Sequence, residues 1–182
     1  MWADVLQEAA AFIRERDDFL VVSHVQPDGD AISSTVAMGW LLTKLGKTYT
    51  MLNEGPVPSK LRYLWASDDI VTIPGDEPPE RQYRNVICVD CADYSRVGQR
   101  GSQWVAEGAD ILNIDHHPTN DSYGVVNVLK FDAAATAEII IELIDTMALP
   151  IDQDVATAIY TGIITDTGGF RYSNTSPAVM AI

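Results

Sequence analysis

Residues 19–53 read FLVVSHVQPDGDAISSTVAMGWLLTKLGKTYTMLN, and this stretch decides the fold class. It begins with a short β-branched run at 19–22, which is typical of a strand buried on both faces. After the PDGD turn, residues 31–46 form an apolar segment closed by glycine, which predicts a buried helix. KTYTMLN at 47–53 predicts the next strand. A strand, a helix and a second strand form the unit of a parallel sheet, so we expect an α/β fold with a parallel β-sheet flanked by helices.

The rest of the chain continues this alternation of apolar runs and helical patterns. Strands are predicted at 85–90 (NVICVD), 110–115 (DILNID) and 125–129 (VVNVL), and helices at 3–16, 133–147 and 152–165. The segment SQWVAEG at 102–108 is expected to form a short helix between two of these strands. Residues 54–84 are rich in proline and less periodic. They are interpreted as connecting structure with a short helix at 60–65 and a weak strand at 70–73.

The length and the charge of the chain narrow the class of protein. A chain of 182 residues fits one domain with a substantial core, and we interpret residues 1–182 as a single domain. The net charge of −14 argues against binding of long double-stranded nucleic acid, which needs clustered lysine and arginine. No apolar run approaches the roughly 20 residues that span a bilayer, and the first residues are acidic, unlike a signal peptide. The sequence therefore predicts a cytoplasmic protein with no membrane segment.

The chain has two cysteines, Cys88 and Cys91, which form a lone CVDC motif. A redox pair would normally open a helix after a strand, and a thiolate zinc site needs further ligands at matched spacing. We therefore interpret both cysteines as reduced thiols that pack around the strand leading to Asp90.

Three of the predicted strands end in histidine or aspartate. The first is followed by His24 and by Asp28 and Asp30 in the PDGD turn, the second ends at Asp90, and the third ends in the DHH motif at 115–117. Because the carboxyl ends of neighbouring parallel strands line a single crevice, these side chains are expected to share one site. Carboxylates placed so close together would repel one another and oppose folding. The pattern therefore predicts a bound metal.

The type of ligand indicates which metal this would be. Imidazole and carboxylate ligands without thiolate suit Mn²⁺, with Co²⁺, Fe²⁺, Zn²⁺ or Mg²⁺ as alternatives. The ligands outnumber what one ion needs, so we expect two ions in one centre. A further candidate ligand is Asp166 in GIITDTGGF, where Gly168 and Gly169 permit a positive φ at a helix end.

Each of these residues also has a purely structural interpretation. PDGD is commonly a solvated turn, and His24 alone would be explained as a hydrogen-bonded histidine at a strand end. An aspartate after a strand is commonly a helix N-cap, which is the competing role for Asp90 and Asp166. The joint occurrence of these residues at successive strand ends favours a metal site over the separate explanations.

Four segments of this sequence resemble the four motifs of the DHH phosphoesterase superfamily and occur in the same order. They are His24-x-x-x-Asp28-x-Asp30, Val89-Asp90, Asp115-His116-His117 and Asp166-Thr-Gly-Gly-Phe. The most similar subfamily is the NrnA-like type, which comprises bacterial oligoribonucleases and phosphatases of 3'-phosphoadenosine 5'-phosphate (pAp). Members of this type continue into a smaller C-terminal DHHA1 domain that grips the substrate, and this domain is absent from the sequence. Ser176 and Pro177 read as a helix start followed by only AVMAI, so we expect a chain truncated before that domain.

The resemblance implies two sets of metal ligands that share one carboxylate. The first ion would be held by His24, Asp28 and Asp90, and the second by Asp30, Asp90, His116 and Asp166. Asp90 would therefore bridge the two ions.

The resemblance also implies roles for three residues that are not ligands. His117 would face the scissile phosphate and would neutralise its charge or protonate the leaving oxygen. Asp115 would orient its neighbours, so that Asp90, Asp115 and His117 form the catalytic group. Arg96 would contact a phosphate group of the substrate, with a surface ion pair as the alternative.

The activity implied by the resemblance is metal-dependent hydrolysis of phosphoester bonds, by in-line attack of an activated water on phosphorus. The substrates would be short oligoribonucleotides, pAp or linear dinucleotides. The alternatives are a family II inorganic pyrophosphatase, a RecJ-like exonuclease and a non-catalytic nucleotide-binding domain. The sequence contains no Ser-His-Asp motif and no P-loop. The expected partner is a nucleotide or short RNA, and the sequence is compatible with a homodimer.

Overall fold

The computed structural model describes residues 1–73 and 78–182. Within these ranges lie four α-helices: α1 (Trp2–Glu15), α2 (Gly29–Lys44), α3 (Thr136–Thr146) and α4 (Gln153–Asp166). They also contain six strands: β1 (Phe19–Val22), β2 (Tyr49–Asn53), β3 (Val71–Thr72), β4 (Tyr83–Val89), β5 (Val105–Asp115) and β6 (Val126–Leu129). The remaining helical segments are short 3-10 turns.

The strands form one sheet in which every pair is parallel, as the sequence predicts. Their order is β3-β2-β1-β4-β5-β6, with Val21 of β1 paired to Met51 on one side and to Ile87 on the other. The direction of winding reverses between β1 and β4. In open sheets of this kind, ligands bind in the crevice beyond the carboxyl ends of the strands at that point. His24 and Asp90 follow the two strands that flank it.

The two faces of the sheet are covered by different kinds of structure. Phe19 and Val21 belong to the larger core cluster, to which all four helices contribute. The alternate residues Leu20 and Val22 belong to a smaller cluster on the opposite face, built from strand residues and from side chains in the 3-10 turns after β4. Strand β1 is continuously apolar because both of its faces are buried.

The prediction of a helix at 102–108 is wrong for the second half of that segment. Gly101–Trp104 forms a 3-10 turn, and Val105 already begins β5, where it pairs with Tyr83. The register between β4 and β5 then shifts, and Gly108 takes a φ of +68°, which glycine adopts without steric cost. Pairing with β4 therefore outweighs the helical preference of this short segment.

The connecting region is also less helical than its sequence predicts. The helix expected at 60–65 is reduced to a 3-10 turn at Ser59–Leu61, and the weak strand is β3 at the edge of the sheet. Residues 74–77 of this region lie outside the described residues. At the other end of the chain, the side chain of Ser176 accepts a hydrogen bond from Val179 N at 3.1 Å. The segment that follows is a single 3-10 turn, Val179–Ala181, whose N-cap is Ala178 and not Ser176. The prediction of a helix start at Ser176 and Pro177 is therefore wrong.

Both cysteines are free and buried in the smaller cluster. Burial raises the pKa of Cys91 to about 12, which keeps the group a thiol at neutral pH. These observations agree with the packing role predicted for Cys88 and Cys91. Within the described ranges, no helix has both the length and the apolar character needed to cross a bilayer.

Two glycines allow the helices beside the site to approach closely. A Cβ atom on Gly29 would lie 2.6 Å from Thr165 Cβ, and a Cβ atom on Gly162 would lie 2.6 Å from Ala137 Cβ and 2.7 Å from Asp30 Oδ1. All three distances are well inside van der Waals contact. The absence of these side chains lets α4 lie against α2 and α3, which brings the end of α4 towards Asp30.

We expect the substitution Gly162→Ala to lower the free energy of unfolding by about 1–3 kcal/mol, because the added methyl group overpacks the helix contact. An unobstructed helix position would show the opposite sign, since alanine exceeds glycine in helix propensity by about 1 kcal/mol. Urea denaturation measures the difference. Ala156→Gly on the exposed side of the same helix is the matched control and should cost only the propensity. A more stable Gly162→Ala protein would contradict the close contact.

Candidate metal centre

The six residues expected as metal ligands converge at the carboxyl edge of the sheet. They come from the segments that follow β1 and β4, from the DHH motif after β5, and from the ends of α2 and α4 that meet there. They are His24, Asp28, Asp30, Asp90, His116 and Asp166. The structure therefore brings together every side chain that the sequence assigned to the metal centre.

Their donor atoms form overlapping groups in which all atoms lie within 4.8 Å of one another. His24, Asp28 and Asp90 form one group, and a second contains Asp30 and Asp166 together with His116. A third group joins Asp90 and His116 to His117. Asp90 is thus shared by two groups, as a bridging residue would be.

Asp90 is placed by a sharp turn at the end of β4. Its φ of +54° lies in the left-handed region, and its N–H donates to the carbonyl of Ile114 at 3.0 Å. The buried carboxylate has one oxygen 3.5 Å from His24 Nε2 and the other 3.7 Å from His116 Nε2. Asp90 caps no helix, since the 3-10 turn that follows is capped by Asp93. The competing interpretation of Asp90 as an N-cap is therefore wrong.

Asp28 has the capping role that the sequence interpretation gave to other aspartates. One of its oxygens accepts from the backbone N–H groups of Asp30 and Ala31, each at 3.1 Å, and so caps α2. Its other oxygen lies 3.9 Å from His24 Nε2. The turn before it is tightened by Gln26, which has a φ of +55°. Capping therefore uses one oxygen of Asp28 and leaves the other directed towards His24.

Asp30 is fully buried and is held by the first turn of α3. Its two oxygens accept from the backbone N–H of Thr136 at 2.6 Å and of Ala137 at 3.1 Å, and Ser34 Oγ donates at 3.3 Å. Thr136 Oγ1 also donates to Asp90 at 3.1 Å. Thr136 therefore contacts a carboxylate of each proposed ion site. The sequence does not reveal this role of Thr136, because nothing in the run AAATAE distinguishes it from an ordinary helix start.

His116 shows most clearly that the site fits a metal ion. Its Nδ1 lies 3.2 Å from the carbonyl oxygen of Ala133. Its Nε2 is buried without a hydrogen-bond partner, although Asp166 Oδ2 lies only 3.2 Å away. A ring held through one nitrogen to a backbone carbonyl, with the other nitrogen facing carboxylates, is the usual arrangement of a metal-binding histidine. The nitrogen and oxygen donors fit a divalent cation.

Asp166 ends α4 and is followed by a left-handed stretch. Gly168 and Gly169 have φ values of +58° and +70°, which confirms the conformational role predicted for them. Asn174 fastens the loop that follows, because its Nδ2 donates to the carbonyl oxygens of Asp166 and Ala134, each at 3.1 Å. Asp166 lies at a helix C-terminus, so the N-cap interpretation is wrong for this residue as well.

His117 and Asp115 form a close pair beside the ligand groups. His117 Nδ1 lies 2.7 Å from Asp115 Oδ1, and the side chain of His117 is 36% exposed whereas that of Asp115 is fully buried. The hydrogen bond to Asp115 raises the pKa of His117. One nitrogen of the ring is therefore anchored, while the side chain as a whole is partly open to solvent.

Arg96 lies on the 3-10 turn Tyr94–Val97 and is exposed. Its carbonyl oxygen accepts from Val25 N at 2.7 Å, which ties this turn to the segment that follows β1. Its guanidinium forms no ion pair with any residue in the described ranges. Contact with a phosphate group remains a prediction for this side chain.

Burial and the neighbouring charges shift the pKa values of the two buried aspartates, Asp30 and Asp90, in opposite directions. Burial and the nearby charges of Asp90 and Asp166 raise the pKa of Asp30. Burial also opposes ionisation of Asp90, but the hydrogen bond from His24 and the charges of the other histidines outweigh it and lower the pKa. For His116, burial is outweighed by the close carboxylate of Asp166 and by the charges of Asp30 and Asp90, and the pKa rises to about 9.

We expect the metal-free protein to lose stability as the pH rises from about 6.5 to about 9. The proton on His116 is bound more tightly in the folded state than in the unfolded state, where the pKa is 6.5. Its contribution is therefore complete below pH 6.5 and disappears as the pH passes the folded value of about 9. Thermal unfolding in chelator measures the loss. The variant His116→Asn should show a shallower decline over this range, and an equal decline would exclude His116 as its source.

The chain matches the model of a known protein family over most of its length. The family model described as "DHH family, N-terminal domain" matches residues 18–163. This range contains five of the six candidate ligands, and Asp166 lies just beyond it.

Relatives with curated names are similar along nearly the whole chain. A Thermus thermophilus protein named "Bifunctional oligoribonuclease and PAP phosphatase NrnA" is 35% identical over 162 residues, which are 89% of this chain and 47% of that protein. A Bacillus subtilis protein of the same name is 28% identical over 163 residues, covering 88% of this chain and 49% of the relative. The chain therefore spans about half the length of the curated relatives it matches.

A solved structure supports the fold independently. An exopolyphosphatase-related protein from Bacteroides fragilis superposes with a TM-score of 0.85 over 98% of this chain and 54% of its own. The sequence identity is 23%, so this likeness shows the fold alone.

Proposed function

The chain belongs to the DHH family, and from this premise we propose that it carries the two-metal site of a hydrolase that cleaves phosphoester bonds in short oligoribonucleotides and in pAp. One observation carries the proposal: the buried carboxylate of Asp90 contributes donor atoms to two groups of ligands at once. The substrates are taken from the names of the relatives. Linear dinucleotides belong to the same chemical class.

The proposed ligands follow the groups of donor atoms. His24, Asp28 and Asp90 form one observed group and would hold one divalent ion, with Mn²⁺ as the preferred metal. The second ion would be held by the group of Asp30, His116 and Asp166. Asp90 would be added to that set because its other oxygen lies 3.7 Å from His116 Nε2. When bound, two such ions would activate a water and neutralise charge on the reacting phosphate. Three of these ligands, Asp28, Asp30 and Asp90, are oriented by hydrogen bonds from α2 and α3.

The remaining residues act on the substrate. His117 is anchored through Nδ1 to Asp115, and this hydrogen bond raises the pKa of the ring. In the protonated ring, Nε2–H would donate to the phosphate or give its proton to the leaving oxygen. Arg96 would bind a further phosphate group of the nucleotide. The chain is proposed to act as one catalytic domain over residues 1–182, with substrate grip supplied by a DHHA1 domain of the full-length protein. We also propose a cytoplasmic location and a protein able to form a homodimer.

The test is Mn²⁺-dependent release of nucleotide or phosphate by the full-length protein from pAp, pApA, short RNA and pyrophosphate. Turnover of pAp or short RNA is expected, and it should disappear in Asp90→Asn and persist in Asp121→Asn, which changes an exposed carboxylate near the DHH motif. Cleavage of pyrophosphate alone would contradict the proposed substrates and indicate a pyrophosphatase. Metal binding without turnover of any of the four would indicate a non-catalytic nucleotide-binding domain.

A further inference from the structure

A network of three hydrogen-bonded asparagine side chains lies behind the His117–Asp115 pair and comprises Asn113, Asn120 and Asn127. Asn120 Nδ2 donates to Asp115 Oδ2 at 2.8 Å, while Asp115 Oδ1 lies 2.7 Å from His117 Nδ1. The two oxygens of this buried carboxylate are therefore divided between one amide and one imidazole. Asn120 occurs in the motif DHHPTN, three residues after His117, and the family motifs quoted above assign it no role.

Hydrogen bonds to the backbone fix which atom is Oδ1 and which is Nδ2 in each side-chain amide of this asparagine network. The N–H of Gly124 donates to Asn127 Oδ1 at 3.0 Å, and Asn127 Nδ2 donates to the carbonyl oxygen of Gly124 at 2.7 Å. Asn113 Nδ2 can then only donate to Asn127 Oδ1, at 3.0 Å, and it also donates to Asn120 Oδ1 at 2.8 Å. A backbone N–H cannot accept and a carbonyl oxygen cannot donate, so neither amide can be flipped.

A second backbone contact fixes Asn120 directly. The N–H of Ser122 donates to Asn120 Oδ1 at 2.9 Å, which directs the NH₂ group of Asn120 towards Asp115. Asp115 Oδ2 is thereby satisfied by a donor, and Oδ1 is left for His117. Because a carboxylate oxygen only accepts, the proton of the neutral His117 ring resides on Nδ1, and Nε2 is the nitrogen presented to the substrate.

We propose that Asn120 is a positioning residue for His117 that acts through Asp115. This inference rests on the proposed function, in which His117 contacts the reacting phosphate. Without the amide, Asp115 Oδ2 would be a buried acceptor lacking its closest partner, and the carboxylate would turn to share its oxygens differently. His117 would then lose its fixed orientation and its single tautomer, whereas the metal ligands, which Asn120 does not touch, would keep theirs.

The test compares Asn120→Ala and Asn120→Asp with Asn85→Ala. In Asn120→Asp, the new side chain has the size of asparagine but cannot donate a hydrogen bond when ionised. Asn120→Ala removes the donor without adding a charge, and it replaces Asn120→Asp if that charge prevents folding. Asn85 is a matched control at the opposite end of the sheet, where its Nδ2 donates to the carbonyl oxygen of Asp17 at 2.7 Å. In the full-length protein, we expect both Asn120 variants to lower kcat at least about 10-fold, with KM and Mn²⁺ affinity nearly unchanged. Asn85→Ala should retain the parent kcat.

A spectroscopic measurement separates this inference from the proposed function. In metal-free protein at a pH where the ring is neutral, a long-range ¹H–¹⁵N spectrum, assigned with His117→Gln, should show the Nδ1–H tautomer of His117. The Asn120 variants should show a mixture of tautomers. An unchanged spectrum, or a parent kcat in the Asn120 variants, would overturn the positioning role. A changed spectrum in a protein that cleaves no phosphoester would support the positioning of His117 and refute the proposed function instead.

Discussion

Replacing Asp90 with asparagine is expected to remove high-affinity metal binding at both proposed sites and to lower turnover by about 1000-fold or more. The carboxylate is buried and supplies donor atoms to two ligand groups. Asparagine keeps the size but loses the charge and one acceptor oxygen, so both ions lose a ligand. Loss of single charge-stabilising groups elsewhere costs about 100- to 1000-fold, and here two ions are affected. Calorimetric titration with Mn²⁺ and steady-state kinetics on pAp measure the two effects.

Folding must be separated from metal binding in this experiment. The hydrogen bond from His24 and the charges of the other histidines stabilise the Asp90 carboxylate in the metal-free protein, so Asp90→Asn is expected to lower the stability of the fold. Circular dichroism and thermal unfolding of the metal-free variant must therefore show that it is folded at the temperature of the metal titration. Asp121→Asn is the matched control, because it makes the same chemical change at an exposed position and should bind metal normally. A folded Asp90→Asn protein that still retains two tightly bound ions would refute the bridging role.

Replacing His117 with glutamine is expected to lower kcat by about 100- to 10,000-fold, the range for loss of a general acid or base. Metal affinity should change little, because His117 is proposed to contact the phosphate and not an ion. The pair of measurements therefore distinguishes His117 from Asp90, whose loss removes the metal first. Kinetics at saturating Mn²⁺ and a separate Mn²⁺ titration provide the two values.

The grouping of donor atoms makes this second prediction a demanding one. His117 lies with Asp90 and His116 in a set of donor atoms within 4.8 Å of one another, so the geometry alone is also compatible with a metal ligand at this position. The binding of only one Mn²⁺ ion by His117→Gln would reassign His117 as a ligand. Normal kcat with normal metal binding would remove it from the reaction altogether.

The fold follows from local patterns that are strong in this sequence. The apolar run at 19–22, the glycine after the second helix and the strand predicted at 47–53 indicate a parallel unit, and the structure contains it. The error at 105–108 has a different physical origin. Val105 pairs with Tyr83 of β4, which lies more than 20 positions earlier in the chain, and no local pattern reports such a pairing.

In the candidate site, the sequence indicates the charged residues but not the neutral residues that hold them. The charged residues were found because each follows a strand or a turn and because repeated carboxylates need compensation. The neutral residues that hold them were not found. Thr136 contacts Asp30 across 106 positions of sequence, and Asn113 looks like an ordinary strand residue until Asn120 and Asn127 are seen beside it. Their roles depend on tertiary contacts between uncharged groups, which leave little trace in composition or spacing.

The most direct test is the number of Mn²⁺ ions bound per chain by the full-length protein, measured by equilibrium dialysis with and without the Asp90→Asn substitution. A centre bridged by Asp90 predicts two ions per parent chain and the loss of both from the variant at the same free Mn²⁺ concentration. One ion per parent chain, or two ions retained by the variant, would contradict a two-metal centre built on this carboxylate.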